Sequence, residues 1–257
     1  MELQNRKPYE LPLEPMSQEY EAYTEEHFEV WTTLYDAQLP ILQSRATEKY
    51  FQGLELCGFE REKIPVIKEV NQRLKAATGW EVFIVPGLID DKPFFEFLAA
   101  KKFPATTWLR SKEELEYLEE PDMFHDVFAH VPLLSIQPFV DFVQKMAEVT
   151  LRYIDNPKAV NLMSRLYWFT VEFGLIREQE GLKLYGAGIM SSSGESVFAT
   201  EDPEVPRYAF DLAHIFDTPY YKHDFQKQYF VIDSYEQLYE SMGSMEEELN
   251  KALLRNA

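Results

Sequence analysis

Apolar residues recur along most of this chain at three- and four-residue steps, the period of helices that bury one face. Tyr20, Tyr23, His27, Val30, Trp31 and Leu34 form the first such stripe. Ser17 stands where an N-cap belongs, so a helix is predicted from there onward. His27 lies on the stripe and reads as a packed core histidine rather than a ligand. A second helical piece spans 44–56 and stops near Gly58, and a third begins around Pro65 and ends before Gly79. WEVFIVPG has strand composition and a Pro-Gly stop. Residues 91–101 read as an apolar helix, FPATTWLR as extended chain, and SKEELEYLEE as a charged, solvated helix. PDMFHDVFAH opens with Pro121 and closes before Pro132, which ends its helix at about Val131. Residues 138–153 form another amphipathic helix and 158–178 a long one. LKLYGAGIMSSSG combines a short strand with a Gly/Ser-rich turn, YFVIDS is a last strand, and 235–254 is a final amphipathic helix. Residues 1–16, proline-containing and aperiodic, read as an extended N-terminal arm, and 17–257 as one domain. The expected class is mainly α with a few short β-strands.

Composition narrows what such a domain does. The chain has 257 residues, 46% of them hydrophobic, with 19 Phe and 15 Tyr, enough for a thick aromatic core. Acidic residues outnumber basic ones 44 to 25, for a net charge of −19. That balance argues against nucleic acid and anionic membranes, both of which need Lys/Arg clusters. One cysteine, Cys57, excludes an intrachain disulfide and suits a reducing compartment. The N-terminus has no apolar core of a signal peptide, and no apolar run approaches the ~20 residues that span a bilayer. A cytoplasmic protein is expected.

Candidate chemistry rests on His125, His130 and Glu172. Two imidazoles and one carboxylate make the facial ligand set of non-haem Fe(II) oxygenases. The histidines are five residues apart, which on an ideal α-helix separates them by ~140°. A distorted last turn before Pro132 is needed to bring them together. Glu172 sits in NLMSRLYWFTVEFGLI, apolar around nearly its whole circumference, so the carboxylate is buried. A buried carboxylate requires a partner. Arg165 or Arg177 could supply one, and so could a divalent metal. Zinc hydrolases use a similar donor set, with Asp126 as a candidate general base, so the residues by themselves read as a metal enzyme of iron or zinc.

At these positions the chain resembles the pterin-dependent aromatic amino acid hydroxylases, and among them the bacterial phenylalanine 4-monooxygenases. The resemblance runs through IPVIKEVNQRLKAATGW, VPGLI, FPATTWLR, PDMFHDVFAHVPLL, LYWFTVEFGL, YGAG, SSSGE and YFVIDS, over roughly residues 18–240. It implies a single-domain helical basket around Fe(II), with His125, His130 and Glu172 as ligands. The implied reaction uses dioxygen and a tetrahydropterin, which supplies two electrons, to hydroxylate the ring of a free aromatic amino acid, here phenylalanine to tyrosine.

The same resemblance assigns the surroundings. Arg110 would hold the substrate carboxylate, oriented by Asp122, with Trp168 and Phe173 shaping the ring pocket. A tryptophan at 168 resembles the phenylalanine and tyrosine hydroxylases. Gly87, Leu88, Ile89 and Phe94 would form the pterin site, with Asp126 and Tyr167 acting through ordered water. Ser191 would fix the first imidazole, Gly186 and Gly188 would permit close backbone approach, and Glu195 reads as structural. Ala129 replaces a glycine of the family beside His130, which suggests a shifted ligand. Leu118 replaces a substrate-contacting hydroxyl residue of animal relatives. The animal regulatory domain and oligomerisation helix are not found, so a monomer is expected, with 235–254 leaving a dimer open. The same chemistry on tryptophan or tyrosine, a zinc hydrolase, and a non-catalytic acidic helical binding protein are the alternatives.

Overall fold

The computed structural model describes residues 16–115, 118, 120–222 and 224–255. The arm assigned to residues 1–16 therefore lies almost wholly outside the described residues. The first helix, α1 (Glu25–Arg45), starts eight residues later than the stripe predicts. Thr24 is its N-cap, and the Thr24 N–H donates to His27 Nδ1 at 3.0 Å. His27 is thus a half-buried capping residue, not a core one. The preceding segment docks through side chains instead. Gln18 Nε2 donates to Pro65 O at 2.9 Å, Tyr20 Oη to Ile64 O at 3.1 Å and Tyr23 Oη to Thr107 O at 2.5 Å.

α2 (Glu48–Cys57) ends at Gly58, whose φ of 70° is the left-handed cap that glycine adopts without strain. α3 (Ile67–Ala77), β1 (Glu81–Ile84), α4 (Asp91–Ala99) and β2 (Lys102–Ala105) follow the sequence pattern closely. β1 and β2 pair in parallel, and Val85 N–H donates to Ala105 O at 3.0 Å beyond the last paired residues. Among its described residues the charged run SKEELEYLEE forms a 3-10 turn at Lys112–Glu114 and not the expected helix; residues 116, 117 and 119 lie outside the described set.

Two π-wound segments come next and carry the chemistry. The first is Phe124–His130, followed by a 3-10 turn at Val131–Ser135 and α5 (Gln137–Arg152). α6 (Pro157–Tyr167), capped by the Asn156 side chain, runs into the second, Trp168–Glu172. The predicted helix 158–178 therefore stops at Glu172, and β3 (Leu175–Glu178) takes over. β4 (Gly181–Leu184) turns back on β3. The Gly/Ser-rich stretch predicted as a turn is helical, as α7 (Ala187–Met190) and α8 (Ser193–Glu201). β5 (Arg207–Ala209), α9 (Leu212–Asp217) and β6 (Tyr229–Ile232) complete a sheet of order β4-β3-β6-β5. The final helix is two, α10 (Tyr235–Ser241) and α11 (Met245–Arg255).

One apolar core joins these elements. Trp31 of α1 is fully buried and meets Phe124 and Phe128 of the first π segment edge-on, at 5.7 and 6.3 Å between ring centroids. Phe124 and Phe128 stack on each other at 4.4 Å. From α2, Tyr50 Oη donates to Phe128 O at 3.0 Å, satisfying a carbonyl inside the widened turn. The mainly helical fold with a few short strands is as expected. No helix among the described residues is long and apolar enough to cross a membrane.

Candidate metal centre

A π turn bonds residue i to i+5, so residues five apart stand one above the other. This winding puts His125 and His130 on one face. The sequence argument expected a distorted last turn before Pro132; the observed cause is a wider coil over the whole segment. Their Nε2 atoms are 3.3 Å apart. The second π segment ends on Glu172, with Phe173 N–H donating five residues back to Trp168 O at 2.8 Å. Glu172 Oε1 lies 3.2 Å from His130 Nε2, and Oε2 lies 3.7 Å from His125 Nε2. The three donor groups fall within 4.8 Å of one another and form the one such His/carboxylate cluster among the described residues. Ala129 has not displaced His130 from it.

These spacings suit a metal ion. Bonds of about 2.1 Å at right angles set donor atoms about 3.0 Å apart. Protonation states agree. Burial, partly offset by Glu172, pushes the His125 imidazole down to about 4, so it is neutral near pH 7. Burial alone would raise Glu172, but His130, then His125 and the Tyr167 hydroxyl, hold it down at about 2. Neutral imidazole and ionised carboxylate are the forms that bind metals. Neither Arg165 nor Arg177 pairs with Glu172. Arg165 donates to Phe216 O and Arg177 lies by Asp233.

Partners behind the donors fix their aim. His125 Nδ1 is 2.8 Å from Ser191 Oγ, and Ser191 Oγ donates to Gly188 O at 3.3 Å. That chain sets the tautomer with Nδ1–H donating and leaves the Nε2 lone pair for the cluster. The hairpin β3–β4 returns Tyr185–Gly188 against the Glu172 backbone. A Cβ at Gly186 would overlap the Glu172 carbonyl, and one at Gly188 would sit 2.9 Å from the Phe173 ring. The glycines of YGAG are thus required by close packing.

Asp122 links the cluster to Arg110. It is fully buried and takes Arg110 Nε at 2.8 Å and Nη2 at 2.9 Å, one bond to each carboxylate oxygen. Its Oδ1 also accepts the N–H groups of Phe124 and His125, at 3.1 and 3.2 Å. One carboxylate therefore caps the first π segment and orients the guanidinium. Among the described residues Asp122 is the carboxylate paired with that guanidinium, and Nη1 donates to Leu115 O at 3.5 Å.

Asp126 Oδ2 accepts from Thr106 N at 2.7 Å and from Thr106 Oγ1 at 3.0 Å. Burial raises its carboxyl to about 7 against these bonds. Gly87, Leu88 and Ile89 form the loop after β1, beside the β2 end that leads into Thr106, and Leu88 is 54% exposed. Phe94 packs edge-on against Tyr167 at 5.3 Å. Trp168 stacks on Phe173, the neighbour of Glu172 in the chain, at 4.8 Å. Leu118 is half-buried. Sequence reasoning missed Thr106, which holds Asp126, and Tyr220, which stacks on Trp168 at 4.6 Å. Thr106 lies in FPATTWLR, where alternation could have pointed it inward; Tyr220 has no sequence signal.

Comparison with known proteins agrees with this geometry. The profile of the biopterin-dependent aromatic amino acid hydroxylases matches residues 16–255. Phenylalanine-4-hydroxylase of Ralstonia nicotianae is 46% identical over 226 residues, which is 88% of this chain and 72% of that protein. The enzyme of the same name from Caulobacter vibrioides is 46% identical over 88% of this chain and 76% of its own. The crystal structure of Chromobacterium violaceum phenylalanine hydroxylase with bound oxidised Fe(III) superposes with a TM-score of 0.89 at 41% identity, covering 93% of this chain and 87% of that one. The chain belongs to the biopterin-dependent aromatic amino acid hydroxylases.

Proposed function

We propose that this chain hydroxylates phenylalanine to tyrosine, with Fe(II) held by His125, His130 and Glu172. The convergence of those three donors from two π segments carries the reading. Iron together with a reduced pterin supplies dioxygen activation and the two electrons that ring hydroxylation consumes. The protein binds, orients and excludes water. Arg110, fixed by Asp122, offers the N–H groups of its Nη1/Nη2 edge to the amino-acid carboxylate as a two-pronged donor. Trp168 and Phe173 wall the ring slot, and Gly188 leaves room for Phe173. Ser191 holds His125 in the tautomer that presents Nε2.

The Gly87–Leu88–Ile89 loop and Phe94 would hold the pterin, with Asp126 and Tyr167 reaching it through water. Phenylalanine is favoured over tryptophan by the likeness to bacterial phenylalanine-4-hydroxylases, with the stacked indole of Trp168 bounding the ring slot. Family membership sets aside the zinc hydrolase and the non-catalytic binding protein.

Residues 17–257 act as one catalytic domain and as a monomer. Leu238, Met245, Leu249 and Ala252 of α10 and α11 are fully buried in the chain's own core, and the exposed apolar residues of that stretch, Tyr239 and Leu254, stand on different helices. A single buried thiol, Cys57, suits the cytoplasm. The test is tyrosine formation from phenylalanine with added Fe(II), a reduced pterin and air, run beside tyrosine and tryptophan. Product that disappears with a chelator and returns with Fe(II) supports the proposal. Faster turnover of tryptophan than phenylalanine would reject the substrate assignment.

A further inference from the structure

The buried indole Nε1–H of Trp168 finds no hydrogen-bond partner among the described residues, so the ring's orientation depends on stacking. Phe173 stacks on it at 4.8 Å and Tyr220 at 4.6 Å, both with planes inclined by 27°. Phe173 and Tyr220 make no ring contact with each other, so the indole lies between them. Phe173 adjoins Glu172 in the chain. Tyr220 comes from a different place, the connection between α9 and β6.

That connection is held by buried polar groups that take no part in the metal cluster. Glu195 of α8, 5% exposed, accepts from Gln226 N at 2.9 Å and from Tyr229 Oη at 2.6 Å. Gln226, 1% exposed, closes the loop on itself. Its Oε1 accepts from Tyr221 N at 3.1 Å and its Nε2 donates to Tyr221 O at 2.5 Å. Gln228 Nε2 donates to Thr218 Oγ1 at 3.0 Å on the other flank. Two pins, at 218 and 221, therefore bracket Tyr220. Burying a carboxylate and a carboxamide only to shape a surface loop is costly. The loop makes two aromatic contacts, Phe225 with Phe198 of α8 at 5.3 Å and Tyr220 with the indole of the site, and only the second reaches the site.

We infer that Tyr220 is a positioning residue for the substrate slot: stacked on the face of Trp168 away from Phe173, it holds the indole against Phe173 and so fixes where the indole bounds the slot, hence the selection of a one-ring over a two-ring amino acid. The inference rests on the function proposed above. A ring removed at 220 opens space into which the indole can retreat. The slot then widens for indole-sized substrates, while the carboxylate clamp at Arg110 is untouched.

The test compares the wild-type protein with Tyr220→Ala, Tyr220→Leu and Tyr220→Phe, each loaded with Fe(II). Two ratios are read for tryptophan against phenylalanine: kcat/KM with a reduced pterin, and the dissociation constants by calorimetry. Apolar slots discriminate by ~10–200-fold. Both ratios are expected to move towards tryptophan by about tenfold or more in the Ala and Leu variants, mostly through KM, and to stay within about twofold of wild type in the Phe variant. Thermal unfolding of each variant identifies any that fails to fold, and either Ala or Leu suffices. Ratios unchanged in the folded Ala or Leu variant overturn the inference. So does a Phe variant that shifts as far as Ala, since the hydroxyl and not the ring would then matter. A wild-type chain that makes no tyrosine strikes the proposed function instead; the binding ratio still reads the slot without turnover.

Discussion

Removing the Asp122 carboxylate perturbs both halves of the site at once, and the structure sets the size of the effect. The group is wholly buried and accepts Arg110 Nε and Nη2, the Arg110 backbone N–H at 3.1 Å, and the N–H groups of Phe124 and His125. Asp122→Ala leaves the guanidinium, 10% exposed, without its counter-charge, and uncaps the turn that carries His125. Breaking a buried pair from one side costs ~3–5 kcal/mol. For a domain of this size that lowers Tm by roughly 6–20 °C. The assay is urea or thermal unfolding of Asp122→Ala, Arg110→Ala and the double variant. The double variant is expected to be less destabilised than the two singles summed, because removing Arg110 relieves the orphaned charge. Both single variants should also raise KM for phenylalanine far more than they lower retained iron. A loss below about 1 kcal/mol in Asp122→Ala, as for an exposed pair, or strict additivity in the cycle would refute this reasoning.

Glu172→Ala should abolish iron-dependent turnover while costing less stability than the ~2–5 kcal/mol of a core truncation, because a buried charge leaves with the side chain; product formation and bound iron are the readouts, and retained turnover counts against a ligand role. Ser191→Ala removes the partner of His125 Nδ1 and should weaken metal affinity ~10–100-fold with little change in fold, measured by competition with a chelator. Gly186→Ala drives a methyl group into the Glu172 carbonyl and should cost ~1–3 kcal/mol of stability together with weaker metal binding. Burial raises the Glu195 carboxyl, so the folded state holds its proton to higher pH than the unfolded chain. Its contribution is most favourable below the unfolded pKa and is lost as pH rises through the folded one; Glu195→Gln should therefore gain stability relative to wild type as pH rises from 4 to 7, and a constant difference in denaturation midpoint would contradict this.

Much of the fold was legible because burial dictates periodicity. α3, β1, α4, α5 and β6 each carry a one-sided or fully buried apolar pattern, and each lies where the pattern put it. The failures have local causes. Tyr20 and Tyr23 extend the α1 stripe in sequence, but hydrogen bonds to Ile64 and Thr107 hold them outside the helix. The glycines of YGAG read as a turn although they serve close packing against Glu172, and α7 starts among them. The break between α10 and α11 at residues 242–244 follows a single Gly243 within an otherwise amphipathic run. The ligand triad was found from residue types, yet an α-helical reading set the histidines on different faces. Winding is decided by tertiary contacts such as Trp31 on Phe124 and Tyr50 on the Phe128 carbonyl, which no local pattern encodes. Tyr220 was invisible for the same reason.

The loose coil between the two imidazoles makes chain length there a chemical variable. One residue fewer would let the segment tighten into an ordinary α coil, where a spacing of four again stacks side chains on a common face. The chain after the second imidazole would keep nearly its direction, so the loss would fall on the four residues between the histidines, among them Asp126 on Thr106 and Phe128 in the aromatic core. The gap of five is thus a spacer cut to the surrounding scaffold, and insertions or deletions within it should be tolerated less well than most changes of side chain.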